Sequence, residues 1–301
     1  MRYPGADRNA VDGVTLDIAG GSFTVLLGPS GCGKSTLLRT VNALVKPQSG
    51  RVTIDGSDVA AADGTQLRRG IGYVIQAIGL FSHMTVGENI AVVPSLLHWD
   101  RARTAERVDE LLGLTGLAPD RYRNRYPREL SGGEQQRVGV ARAIAAEPRV
   151  LLMDEPFGAV DAILRADLQD EMLRIVQSLK TTVVFVTHDV DEALRLADRI
   201  VVMREGRVEQ YDTPLDILTK PSTRFVAQLL GTDDTLRRLS LMRAADAAVA
   251  SESTSAETID AGASLRDALN RLLGGVTRLS VVRDGAPIGS LGLEEIRKAL
   301  Q

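Results

Sequence analysis

Short, continuous apolar runs recur through the first two thirds of the chain, and each stops at glycine or a polar residue. They are Phe23-Thr24-Val25-Leu26-Leu27, Ile71-Gly72-Tyr73-Val74-Ile75, Arg149-Val150-Leu151-Leu152-Met153 and Thr181-Thr182-Val183-Val184-Phe185-Val186-Thr187. Runs without polar alternation suit strands buried on both faces, as in a parallel sheet. Between them, Ser35 to Val41 and Glu134 to Ala146 carry helical spacing, the second ending at Glu147-Pro148. The pattern predicts an α/β fold. Beyond about residue 231 it changes: residues 231–260 are rich in Ala, Ser, Thr, Asp and Glu, and Ala244 to Ser255 reads as a flexible joint. A helix over Ala263 to Leu273 follows, then strands Arg278 to Arg283 and Ile288 to Leu291 joined by the turn Asp284-Gly285, then a helix from Leu293 to Leu300.

The residues that end the apolar runs carry the chemistry. After the first run comes Gly28-Pro29-Ser30-Gly31-Cys32-Gly33-Lys34-Ser35-Thr36, a phosphate loop in its strand–loop–helix context. Its glycines let backbone N–H groups face the β- and γ-phosphates, Lys34 adds a point charge, and the Ser35 hydroxyl is placed to ligate Mg²⁺. The third run ends in Asp154-Glu155. Asp154 would hold Mg²⁺ and Glu155 would orient and deprotonate water; the plainer reading is a pair of carboxylates capping a turn. The fourth ends in His188-Asp189, within reach of a γ-phosphate or merely structural. The second ends beside Gln76, unremarkable alone. Leu130-Ser131-Gly132-Gly133-Glu134-Gln135 opens the helix from Glu134 and is a second anion device, where Ser131 and Glu134 also satisfy a capping box. The two roles are compatible.

Taken together and in this order, these motifs resemble the nucleotide-binding subunits of ABC transporters, over residues 1 to about 235. The resemblance implies a P-loop cassette: a RecA-like core with a parallel sheet, an antiparallel β subdomain, and an α-helical signature subdomain over about 80–148. It implies ATP and Mg²⁺ as cofactors, with Gln76 joining Ser35 and Asp154 at the metal and Lys34, Glu155 and His188 as catalytic residues. Asp161 falls where the family's aspartate loop lies, although Gly158-Ala159-Val160-Asp161 departs from Ser-Ala-Leu-Asp. Tyr3 matches in spacing the aromatic that stacks on adenine, although the chain opens at Met1-Arg2-Tyr3-Pro4 without the family's leading strand. Two cassettes would stack head to tail, with Ser131-Gly132-Gly133 of one facing the phosphate loop of the other across ATP, as a homodimer.

Composition narrows the partners. With 36 Lys and Arg against 39 Asp and Glu, net −3, there is no basic excess to bind nucleic acid. No apolar run approaches a membrane helix, and no signal-peptide pattern is present. The lone Cys32 excludes an intrachain disulfide and fits a reducing cytosol; its thiol is a small filler or a redox sensor. A transporter subunit of this kind would sit on the cytoplasmic face of the membrane, docked on integral-membrane permease subunits through Ala77 to Ile90, and would meet an extracytoplasmic substrate-binding protein only indirectly. The stretches Gly72 to Phe81, Asn89 to Pro94 and Gln136 to Ala143 look like the osmoprotectant branch, which imports quaternary amines such as glycine betaine, carnitine and choline. Another small solute, such as an amino acid, is the alternative, ahead of a soluble non-transport ATPase or a regulatory nucleotide-binding protein. After a linker over residues 236–256, residues 257–301 resemble a single CBS motif.

Overall fold

The computed structural model describes residues 1–76, 79–158, 162–231, 235–250 and 257–300, with the side chains of 162–164 and 167 set aside. The chain forms two compact units, Met1–Tyr211 and Asp212–Gln301. Asp161, expected at the nucleotide, lies outside the described residues.

The first unit is built on strands β1 (Phe23–Leu27), β4 (Ile71–Val74), β5 (Val150–Asp154), β6 (Thr182–Thr187), β7 (Arg199–Arg204) and β8 (Arg207–Asp212), with a two-stranded ladder of β2 (Thr53–Ile54) and β3 (Ser57–Asp58). Sheet order is β4-β5-β6-β1-β7-β8. The ladders β4–β5, β5–β6, β6–β1 and β1–β7 are all parallel. The two-residue connection Glu205-Gly206 makes β7 and β8 a hairpin, so the sheet is mixed at that edge. Antiparallel structure is thus limited, among the described residues of this unit, to that hairpin and the β2–β3 ladder. The segment before β1 contains no strand.

Register brings the motifs together. Leu27 is paired with Thr187, and Val186 with Asp154, so the residues that follow β1, β5 and β6 leave one edge of the sheet side by side. That carboxyl edge is where parallel sheets bind ligands. The strands earn their position by burial: Val25, Leu27, Leu151, Val183 and Phe185 are fully buried, and each such aliphatic or aromatic side chain is worth ~1.5–3 kcal/mol against exposure. Phe185 also contacts Phe23 (centroids 5.7 Å) and Phe157 (6.0 Å). Phe157 lies two residues past Glu155, so the same aromatic cluster anchors the segment that carries the carboxylates.

Helices Val86–Leu96, Arg101–Leu114, Pro119–Tyr122 and Gly132–Ile144 intervene between β4 and β5, and the first packs on the second and the fourth. Among the described residues, no helix is long and apolar enough to cross a membrane.

The second unit begins earlier than residue 236. Helices Pro214–Thr219 and Thr235–Leu241 pack together, and the latter packs on Leu265–Leu273. Strands β9 (Thr258–Asp260), β10 (Leu279–Arg283) and β11 (Ala286–Leu291) form a sheet ordered β11-β10-β9, with β9–β10 parallel and β10–β11 antiparallel. Asp284 (φ +51°) and Gly285 (φ +80°) make the expected tight turn. The described part of the expected linker is not a joint. Ala244–Ala247 is a short helix, Ala244 is fully buried, and Val249 bridges to Ser290. Small alanine side chains, read from composition as loop, instead let this turn sit close against Leu265–Leu273 and Leu293–Ala299. Residues 251–256 lie outside the description.

Candidate functional site

The phosphate loop is shaped by close backbone approach. A Cβ on Gly28 would stand 2.3 Å from the Met203 carbonyl oxygen, and one on Gly33, at φ +110°, would stand 2.0 Å from that of Ala10. Only glycine fits either place. Gly33 precedes helix Lys34–Val41 with no side-chain cap, leaving its first N–H groups for an anion. Lys34 is buried; its Nζ donates to the carbonyls of Gly28 (2.6 Å) and Pro29 (3.1 Å), which holds the ammonium across the loop. Pro29, Ser30 and Gly31 are exposed at the rim, and buried Cys32 fixes the floor by accepting the Gly206 N–H at 2.8 Å. Tyr3 Oη is 3.4 Å from Thr36 Oγ1. No strand holds Tyr3, but paired bonds between Arg2 and Gln48 and between Met1 and Val11 hold its segment.

Beside the loop, Ser35 Oγ donates to Asp154 Oδ1 at 2.7 Å, and Arg39 lies 3.5 Å from the other oxygen of this buried carboxylate. A hydroxyl and a carboxylate are hard oxygen donors, so this pair fits Mg²⁺ that completes its shell with phosphate and water. Among the described residues there is no group of three or more His, Cys, Asp or Glu that would cage a metal without such help.

Glu155 has the left-handed backbone of φ +47°, a conformation that costs a non-glycine residue about 1–2 kcal/mol. Its N–H bonds to Val186 O at 3.0 Å and its carbonyl accepts from Gly158 at 3.2 Å, which hold the turn. The carboxylate then meets His188 Nδ1 at 3.3 Å through one oxygen and Gln76 Nε2 at 3.2 Å through the other. Three strand ends thus converge on one carboxylate. Gln76 is joined to Glu155, not to the Ser35–Asp154 pair where it was expected.

Ser131 caps Gly132–Ile144. Its Oγ accepts the Glu134 N–H (3.3 Å), its N–H donates to Glu134 Oε2 (2.7 Å), and Tyr122 Oη donates to Glu134 Oε1 (2.6 Å). The Tyr122 hydroxyl, and after it the Ser131 N–H, hold the Glu134 carboxyl below its ordinary value. No hydrogen bond among the described residues joins Ser131, Gly132 or Gly133 to the phosphate loop. Arg39 and Tyr122 belong to no spaced motif, and only the fold brings them to Asp154 and Glu134.

The family model described as ABC transporter matches residues 11–158. The chain is 48% identical over 292 residues to the glycine betaine uptake system ATP-binding protein YehX of Escherichia coli, covering 96% of this chain and 94% of that protein. It is 51% identical over 246 residues to the osmoprotectant import ATP-binding protein OsmV of Salmonella typhimurium, covering 82% of this chain but only 64% of that relative's length. It spans 59% of the glycine betaine/carnitine/choline transport ATP-binding protein OpuCA of Bacillus subtilis, at 52% identity over 226 residues, 75% of this chain. Among solved structures, a dimeric ATP-binding cassette in a post-hydrolysis state bound to ADP and Pi superposes with a TM-score of 0.64 at 32% identity, over 71% of this chain and 94% of that one.

Proposed function

The chain belongs to the ABC transporter family, and we propose that it is the ATP-hydrolysing subunit of an importer for osmoprotectant quaternary amines. The observation that carries the hydrolytic reading is the convergence of His188 and Gln76 on Glu155 at the sheet edge that also bears the phosphate loop. Lys34 and the N–H groups at the start of Lys34–Val41 hold the β- and γ-phosphates, and Ser35 and Asp154 hold Mg²⁺. When bound, that ion neutralises charge on the phosphate oxygens. Glu155 accepts the proton of the attacking water, and His188 and Gln76 keep its carboxylate aimed. Among the described residues no hydrogen bond joins Ser131, Gly132 or Gly133 to the phosphate loop, which supports a head-to-tail homodimer in which ATP bridges two copies. ATP then closes the pair and hydrolysis reopens it, a population shift whose size is set by how much better ATP binds the closed form.

Permease docking is supported by a groove of about 660 Å³ between helices Val86–Leu96 and Arg101–Leu114, lined by Glu88, Ala91, Trp99, Arg101 and Arg123, and by exposed Phe81 just past Gln76. The subunit would act at the cytoplasmic face of the membrane and meet a substrate-binding protein only through the permease. The quaternary-amine cargo rests on the relatives' names. The β9–helix–β10–β11–helix order of residues 257–300 supports a single CBS-like motif that pairs across the dimer. A Glu155→Gln variant tests the hydrolytic reading. Turnover should fall by about 10² or more while ATP binding persists; unchanged turnover would remove Glu155 from catalysis.

A further inference from the structure

The residues on either side of His188 are tied to a buried carboxylate that belongs to none of the motifs above. Thr187 Oγ1 donates to Glu192 Oε2 at 2.6 Å and accepts the Asp189 N–H at 3.0 Å. Glu192 Oε1 accepts from Gln169 Nε2 at 3.1 Å, and Arg165 Nε lies 4.0 Å from it. Arg165 Nη1 also meets Asp189 Oδ2 at 3.5 Å, while Asp189 Oδ1 caps helix Val190–Leu196. Thr187, Gln169 and Glu192 are 3%, 4% and 7% exposed, and burial pushes the Glu192 carboxyl up. A buried polar network of this kind is a weak source of stability, because well-packed apolar side chains often serve as well. Its geometric effect is more specific. It fixes the backbone between the end of β6 and the start of Val190–Leu196, and the residue held in that interval is His188.

We propose that Glu192 is a positioning residue for ATP hydrolysis: anchored on helix Ala162–Leu179 through Gln169, it locks the Thr187–Asp189 turn and so sets His188 against Glu155. This rests on the hydrolytic reading given above. None of these bonds involves a phosphate-loop residue, so loss of the network should largely spare ATP affinity. The helix that anchors Glu192 follows the strand bearing Glu155, so the network ties the elements after β5 and β6 to each other behind the reacting groups.

The test is steady-state ATPase on the full chain, with nucleotide binding measured by titration, for wild type, Glu192→Ala, Glu192→Gln, Thr187→Val and His188→Ala. Glu192→Ala should lower kcat roughly tenfold to a hundredfold, the scale of a misplaced catalytic group, with KM and ATP affinity within about twofold. Glu192→Gln, which keeps an acceptor for the Thr187 hydroxyl, should recover most of the rate. Thr187→Val, which removes one hydroxyl, should reproduce the loss and carries the test if Glu192→Ala does not fold. Combined with His188→Ala, the Glu192→Ala loss should vanish, since the two act through one group. Full additivity with His188→Ala, an unchanged kcat, or a parallel loss of ATP affinity would each overturn the proposal. Wild-type protein that fails to hydrolyse ATP would instead defeat the hydrolytic reading itself.

Discussion

A methyl group added at Gly33 would stand 2.0 Å from the Ala10 carbonyl oxygen, whereas one added at Gly132 would meet nothing within 4 Å and one at Gly133 only Leu168 Cδ1 at 4.0 Å. Both segments are glycine-bearing starts of helices that can hold an anion, yet the first is moulded by its own chain and the second stands open. The phosphate loop therefore has a reason for its glycines inside the subunit. For Ser131-Gly132-Gly133, the described surroundings supply no such reason, and room for something outside the chain does. The largest expected effect follows directly. Gly33→Ala should lose at least ~2 kcal/mol of unfolding free energy, since a backbone must move and φ +110° is strained for alanine. Gly132→Ala should stay within about 0.5 kcal/mol of wild type. Urea unfolding of both variants measures this, and equal losses would erase the distinction.

Ser131→Ala should fall between those extremes. The hydroxyl accepts the Glu134 N–H, and loss of such a cap costs roughly 1 kcal/mol. Because Ser131 has no hydrogen bond to the phosphate loop, ATP affinity of dilute protein should not change, while the concentration-dependent part of ATPase activity should drop. Nucleotide titration at low protein concentration, beside ATPase measured across a concentration series, separates the two. A weakened affinity in dilute protein would mean that the segment serves its own chain's site.

The same contrast governs what the sequence disclosed. Strands β1, β4, β5 and β6 were legible because continuous apolar runs report burial on both faces, and their polar ends reported the site. Gln76, Glu155 and His188 were identified as end residues, but their meeting is a matter of register, Leu27 against Thr187 and Val186 against Asp154, which no local pattern encodes. The left-handed φ of Glu155 is likewise invisible in a residue type that rarely adopts it. Arg39 reaches Asp154 across more than a hundred residues of chain. Glu192 was passed over because an acid in the first turn of a capped helix normally faces water. In the second unit, alanine-rich composition reads as a joint whereas the small side chains allow close packing, and β9 leaves no sequence signal because only Ile259 of its three residues is buried.

Two buried or half-buried carboxylates give the contrast a pH signature of opposite sign. Glu134 at the open segment has its carboxyl held down, first by the Tyr122 hydroxyl. Its stabilisation is present above the unfolded carboxyl value, about 4.3, and is lost as pH falls through the folded value. Glu192 behind His188 is pushed up by burial, so its contribution is full below the unfolded value and is lost as pH rises through the folded one. Urea unfolding followed from acid to neutral pH should therefore respond differently to two conservative changes. Tyr122→Phe should flatten the acid side, by about 1.5 kcal/mol, the low end for one hydrogen bond to a charged group. Glu192→Gln should leave the acid side alone and flatten the fall in stability above it. An acid-side slope untouched by Tyr122→Phe would show that the Tyr122 hydroxyl does not hold the Glu134 charge, and the Ser131 N–H of the capping box would then have to hold it alone.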